Sequence, residues 1–168
     1  MPEKVSFEIE KMDTPAWYEE KLKTFMKERG IAGEHFTFSQ SCHSVAEAAE
    51  AAGVTPEDFV KSICMIDDAG KLVVAIVKGE DRASTSRVAK ILGIGAIRVA
   101  SPEEVFNKTG YPCGGTPSFG FIAKFLIDPR VAEKEFVYMG GGSETSLVRI
   151  KPSEIVKGNG GEIVRIRK

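Results

Sequence analysis

The chain is 168 residues long, and a hydrophobic composition of 42% is enough for one compact domain with its own core. Its 23 basic and 24 acidic side chains leave a net charge of −1, which excludes the broad positive field of a protein that coats nucleic acid, so any such contact must be local. No apolar run reaches bilayer length and the opening Met1-Pro2-Glu3-Lys4 lacks an apolar signal core, so a cytoplasmic protein without membrane contact is expected.

Thr14-Pro15 predicts a helix start, with Thr14 as N-cap and proline in the first turn, where its missing N–H costs nothing. Trp17, Leu22, Phe25 and Met26 supply the apolar contacts and Gly30 the stop. Ser44-Val45-Ala46-Glu47 has the form of a capping box before an alanine-rich helix closed by Gly53. Thr55-Pro56-Glu57-Asp58 then starts a short helix that runs into a strand over 61–66. Asp67-Asp68-Ala69-Gly70 reads as a turn, and the apolar run over 72–77 as the second strand of a hairpin, buried on both faces.

A helix over 86–92 ends at Gly93, a short strand covers 97–99, and Ser101-Pro102-Glu103-Glu104 is a further capping box. Strands over 121–127 and 135–139 flank an Asp128-Pro129 turn. Gly140-Gly141-Gly142-Ser143 forms a loop before a strand over 146–150, Pro152 opens a brief helix, and 161–168 alternates like a last strand. Without repeats or internal linkers, this order predicts one α+β domain with a mixed sheet.

The segment from Thr109 to Gly120 packs four glycines and two prolines into twelve residues. Glycine lets a ligand approach main-chain N–H groups and proline removes competing donors, so such a loop can aim a few amides at one point or simply supply turn chemistry. Lys61, at the start of an apolar strand, can bring a cation to a cleft while its stem packs, although solvation is the ordinary state of a lysine. The cysteines at 42, 64 and 113 form neither a CxxC pair nor a disulfide framework, which suits a reducing cytosol.

Cys42-His43 suggests a nucleophile and base, but neighbours in an extended segment point to opposite faces. Cys113 sits better, inside the glycine loop, yet a small apolar thiol is the plainer reading. Gly93-Ile94-Gly95 follows its helix and has Arg98 in place of a third glycine, so it is not a dinucleotide fingerprint. The 140–142 run lacks the lysine-serine sequel of a phosphate loop. Two histidines, His35 and His43, are too few for a usual zinc site, and no metal or cofactor is expected. Arg82, Arg87 and the tail Arg165-Ile166-Arg167-Lys168 form either a phosphate patch or an ordinary charged surface.

Taken in order, four segments resemble the YbaK/ProX family, the aminoacyl-tRNA editing domain found free-standing and inserted in bacterial prolyl-tRNA synthetases. They are Ser44-Val45-Ala46-Glu47-Ala48-Ala49 through Gly53-Val54 to Val60-Lys61-Ser62; Val77-Lys78-Gly79-Glu80-Asp81-Arg82; Ser101-Pro102-Glu103-Glu104-Val105 through Thr109-Gly110-Tyr111 to Gly114-Gly115; and Ile127-Asp128 with the later glycine run and Ile150-Lys151-Pro152. The resemblance covers about 20–157 of a single domain spanning 1–168, and implies a mixed, barrel-like β-sheet flanked by helices.

It also implies a deacylase that hydrolyses the ester joining a wrong amino acid to tRNA. A water or a substrate group attacks, without a protein nucleophile. The amino acid would be small, such as alanine or cysteine on tRNA(Pro). Lys61 and the loop residues Gly114, Gly115 and Thr116 are the implied catalytic positions. His43, Gly79, Arg82, Tyr111, Pro117, Ser118, Asp128 and Gly141 are the implied substrate contacts, with the aminoacyl-tRNA acceptor end and a synthetase as partners. Counting from Gly114, the family's loop proline belongs at Ser118 but stands at Pro117, which bears on amino-acid preference and keeps a non-catalytic tRNA-end binding module as the alternative.

Overall fold

The computed structural model describes residues 14–39 and 45–168. Helix α1 (Pro15–Arg29) starts as its sequence dictates: the Thr14 hydroxyl accepts the Trp17 amide at 3.2 Å, Pro15 fills the first turn, and Gly30 ends the helix at φ 64. Strand β1 (Glu34–Thr37) and helix α2 (Val45–Ala52) follow, and Ser44, the proposed cap of α2, lies outside the described residues. A single 3-10 turn (Pro56–Asp58) leads into β2 (Val60–Asp67), which folds back on β3 (Leu72–Lys78) with Cys64 opposite Val74.

The centre of the molecule is β3. Val74 and Ile76 face a core shared with Leu22, Phe119 and Val148, while Val73, Ala75 and Val77 face a second core with Met65, Val88 and Leu126. Apolar residues on both sides of the pleat are what a strand covered on two faces requires, and the uninterrupted run supplies them. Helix α3 (Thr85–Leu92), β4 (Ile97–Val99) and α4 (Pro102–Thr109) come next. The capping box of α4 is complete, with Glu104 N–H on Ser101 Oγ at 3.2 Å and Ser101 N–H on Glu104 Oε1 at 3.0 Å.

Beyond the glycine loop lie β5 (Lys124–Ile127), a one-turn α5 (Pro129–Ala132), β6 (Val137–Gly140), β7 (Ser146–Ile150), α6 (Pro152–Asn159) and β8 (Glu162–Ile163). They complete two sheets, β4-β2-β3-β5-β8 and β1-β7-β6. The first is mixed, because β3–β5 and β5–β8 are parallel.

The α+β expectation holds, with one correction to its barrel-like form. A barrel needs an unbroken ladder around its girth, whereas among the described residues a single bridge, between Phe59 and Tyr138, joins two open sheets. The strand expected over 161–168 is also shorter. Past Ile163 the tail bonds instead to the Asp128 carboxylate and to the backbone of Ser84 and Arg82.

Candidate active site

A cavity of about 300 Å³ opens beside the Phe59–Tyr138 bridge, where the two sheets part. One wall is β2 from Val60 to Cys64, the opposite wall is Tyr138 to Gly140 of β6, and the loop residues Cys113, Gly114 and Thr116 close one side. Register places the lysine: Lys61 pairs with Val77 near the open end of the hairpin, and its half-buried side chain lines the cavity.

Burial lowers the Lys61 ammonium below the ordinary lysine value, the charge of Arg82 lowers it further, and Asp81 partly opposes them. Among the described residues no carboxylate is in ion-pair contact with Lys61. Asp81 instead holds Arg130 Nη1 at 2.9 Å, and its other oxygen, Oδ2, is buried with no hydrogen-bond partner among the described residues.

Residues Cys113–Gly115 form a tight turn in which the Gly115 amide donates to Pro112 O at 2.9 Å and Thr116 Oγ1 donates to the same oxygen at 2.9 Å. The Gly115 amide is therefore engaged. Those of Gly114 and Thr116 make no hydrogen bond outside the turn itself among the described residues, and both residues line the cavity. Behind them the second glycine run packs backbone against backbone. Gly142 N–H donates to Gly115 O at 2.8 Å, and a Cβ on Gly115 would stand 2.5 Å from the Ser143 carbonyl carbon. Glycine is required at 115 by that approach alone.

Lys61, Gly114 and Thr116 thus meet around one space, with Gly115 and the buried Pro117 directly behind. Gly79 supports the hairpin end by donating its amide to Phe59 O at 2.7 Å, and Arg82 is exposed nearby. His43 and Cys42 lie outside the described residues.

Four implied substrate contacts lie instead in the fold's interior. Tyr111 is fully buried, with Lys21 Nζ 4.5 Å from its ring centroid, and burial pushes its hydroxyl up to about 12. Ser118, also fully buried, bonds Ser62 Oγ at 2.8 Å and accepts Asn159 Nδ2 on its carbonyl at 2.9 Å. Gly141 is buried and its carbonyl contacts His35 Nε2 at 2.8 Å.

Asp128 caps α5, accepts the amides of Arg130, Ile166 and Arg167, and pairs with Arg167 Nη1 at 2.8 Å. Burial alone would raise its carboxyl, but these bonds outweigh it and hold it below the usual aspartate value. Each of the four is placed by contacts distant in sequence, which put it behind the cavity wall.

Sequence reasoning missed Cys64, Tyr138 and Gly140 as lining residues. Only Gly140 carried a signal, as the first of a glycine run; the others depend on β6 meeting β2. Burial pushes the Cys64 thiol up to about 12 and raises that of Cys113, so neither is a ready thiolate. A lysine with no ion-pair partner among the described residues, sharing a small cavity with glycine-loop backbone, can bind an anionic group, and backbone N–H groups there can meet a developing oxyanion.

Residues 39–157 match the model of the aminoacyl-tRNA editing domain, and the chain belongs to that family, the one its sequence segments resemble. It is 26% identical over 120 residues to Uncharacterized protein YwhH of Bacillus subtilis (strain 168), covering 70% of this chain and 76% of that one. It is 30% identical over 93 residues to the proline--tRNA ligase of Anaeromyxobacter sp. (strain Fw109-5), covering 55% of this chain but only 16% of the ligase.

Among solved structures, hypothetical protein APE2540 superposes with a TM-score of 0.82 at 28% identity, over 88% of this chain and 99% of its own. A candidate trans-editing enzyme for prolyl tRNA synthetase superposes with a TM-score of 0.82 at 25% identity, over 90% and 97%. No described helix is long and apolar enough to cross a membrane.

Proposed function

We propose that the chain hydrolyses the ester between a small, wrongly attached amino acid and the terminal adenosine of a tRNA, acting in trans in the cytoplasm alongside a synthetase. The observation that carries this reading is that one cavity is lined both by half-buried Lys61, without an ion-pair partner among the described residues, and by Gly114 and Thr116, whose amides bond nothing outside their own turn among those residues. The similarity to a candidate trans-editing enzyme for prolyl tRNA synthetase directs it to tRNA(Pro), and the family resemblance directs it to alanine or cysteine as the amino acid. A cavity of about 300 Å³ is at the small end of ligand sites, in keeping with a small side chain.

In the reaction, a water, positioned by a substrate hydroxyl or the cavity wall, adds to the ester carbonyl and gives up a proton. The carbonyl oxygen takes up negative charge and is met by the Gly114 and Thr116 amides, each such donor being worth about 10²- to 10³-fold. The C–O bond to the ribose then breaks, the ribose oxygen leaves with a proton, and the amino acid is released. Lys61 holds the terminal nucleotide and so orients the attack. Aminoacyl esters are already activated, and this positioning replaces a protein nucleophile.

Incubation with a panel of mischarged tRNAs tests the proposal. Loss of the ester from one or a few small aminoacyl-tRNAs(Pro) is expected. Tight binding of a nonhydrolysable aminoacyl-adenosine with no turnover of any ester would show a binding module instead.

A further inference from the structure

We infer that Glu19, on a helix that precedes the matched editing segment, is a positioning residue for the glycine loop; its effect on turnover rests on the deacylase reading. Glu19 lies in α1, outside residues 39–157, yet it is only 6% exposed. Its Oε1 accepts Thr37 Oγ1 at 2.6 Å and its Oε2 accepts Ser143 Oγ at 3.1 Å. Ser143 is itself tied to Ser146, Oγ to Oγ at 2.8 Å, and its amide donates to Ser146 Oγ at 3.1 Å. Glu19, Ser143 and Ser146 are buried, whereas Thr37 is exposed. A buried carboxylate satisfied by hydroxyls from two separate segments fixes those segments relative to its own helix.

The turn so fixed is the one that supports the site. Gly142, one residue before Ser143, sits at φ 102, and a Cβ there would stand 2.7 Å from Tyr18 O of α1. Its amide donates to Gly115 O at 2.8 Å. Gly140 approaches the Thr116 carbonyl from the same side. A continuous path of direct contacts therefore runs from Glu19 through Ser143 and Gly142 to Gly115, which stands between the cavity-lining residues Gly114 and Thr116. The Gly115 carbonyl shares its planar peptide with the Thr116 N–H, so rotating the peptide would turn the Thr116 amide away from the carbonyl oxygen it serves, and oxyanion stabilisation depends on amide aim.

The test compares Glu19→Ala, Glu19→Gln and Ser143→Ala with Met26→Val, which loosens the same helix without touching Ser143. Two readouts are taken: steady-state hydrolysis of the mischarged tRNA, and amide hydrogen exchange at Gly142 by NMR. Glu19→Ala and Ser143→Ala are expected to lower kcat about tenfold with little change in KM, to speed Gly142 exchange, and to be no worse combined than singly. Glu19→Gln should recover most of the loss, and Met26→Val should lower stability while keeping kcat. If Glu19→Ala does not fold, Ser143→Ala decides.

Wild-type kcat or wild-type Gly142 exchange in a folded Glu19→Ala or Ser143→Ala variant overturns the inference. If the wild type itself hydrolyses no aminoacyl-tRNA, the deacylase reading fails. Gly142 exchange then decides alone: accelerated exchange keeps the link from Glu19 to the loop, and unchanged exchange removes it.

Discussion

Ser62 Oγ and Ser118 Oγ lie 2.8 Å apart, so the residue next to Lys61 on β2 is bonded to the end of the glycine loop. The two halves of the site are thereby held in one register by a bond made behind the cavity. Ser118→Ala should cost about 1 kcal/mol by leaving Ser62 without its partner, while the double change with Ser62→Ala should cost little more than the single. Urea denaturation of the three variants measures this directly.

Lys61 titrates below the ordinary lysine range because of burial first and Arg82 second. Its anion-holding form is the protonated one, so binding is present at neutral pH and lost as pH rises through the lowered value. The alkaline limb of substrate-analogue affinity is therefore expected below about pH 10.4, the ordinary lysine value. Arg82→Ala should move it upward and Asp81→Asn downward. Affinity for a nonhydrolysable aminoacyl-adenosine phosphate, measured against pH, gives the three limbs.

Asp128 is a stability group. Its folded value is depressed, so its contribution is complete above the unfolded value near 3.9 and vanishes as pH falls through the lower folded value. Asp128→Asn should cost on the order of 3 kcal/mol at neutral pH by leaving Arg167 unpaired in a mostly buried setting. The gap in Tm between wild type and variant should close in strong acid.

Gly115→Ala should destabilise by about 1 to 3 kcal/mol through overpacking against Ser143 and remove activity. Gly95→Ala, whose new methyl would meet only the end of the Asp68 side chain at 3.8 Å, should be tolerated. Thermal unfolding of both separates a close backbone approach from mere loss of glycine.

Cys113 lines the cavity as a neutral thiol, and the proposed reaction does not use it as a nucleophile. Cys113→Ser should keep hydrolysis within an order of magnitude, and a bulky alkylating reagent should act by blocking the cavity. Complete loss in the serine variant would point to covalent catalysis.

The parts of the fold that short-range chemistry decides were readable in advance. Thr14 with Pro15, the Ser101–Glu104 box and the 67–70 turn each use partners within four residues. The apolar run of β3 likewise announced burial on both faces. The parting of the two sheets was not readable, because it depends on Tyr138 of β6 meeting Phe59, just ahead of β2, across about eighty residues.

Asp128 shows the same limit within the site. Next to a proline it reads equally as turn or ligand contact, and only the return of the tail, with the Arg167 guanidinium 2.8 Å away, decides for structure. Lys61 and the glycine loop could be paired in advance because ordered family segments joined them; their spacing in the chain alone says nothing of a shared cavity.

Single-turnover hydrolysis of alanyl-tRNA(Pro) by the wild type and by Lys61→Ala tests the central claim most directly. The account expects ester loss well above the uncatalysed rate in the wild type, reduced about a hundredfold or more in the variant if Lys61 holds the reacting end in place. Hydrolysis at the same rate in both proteins, or at the uncatalysed rate in the wild type, would contradict it.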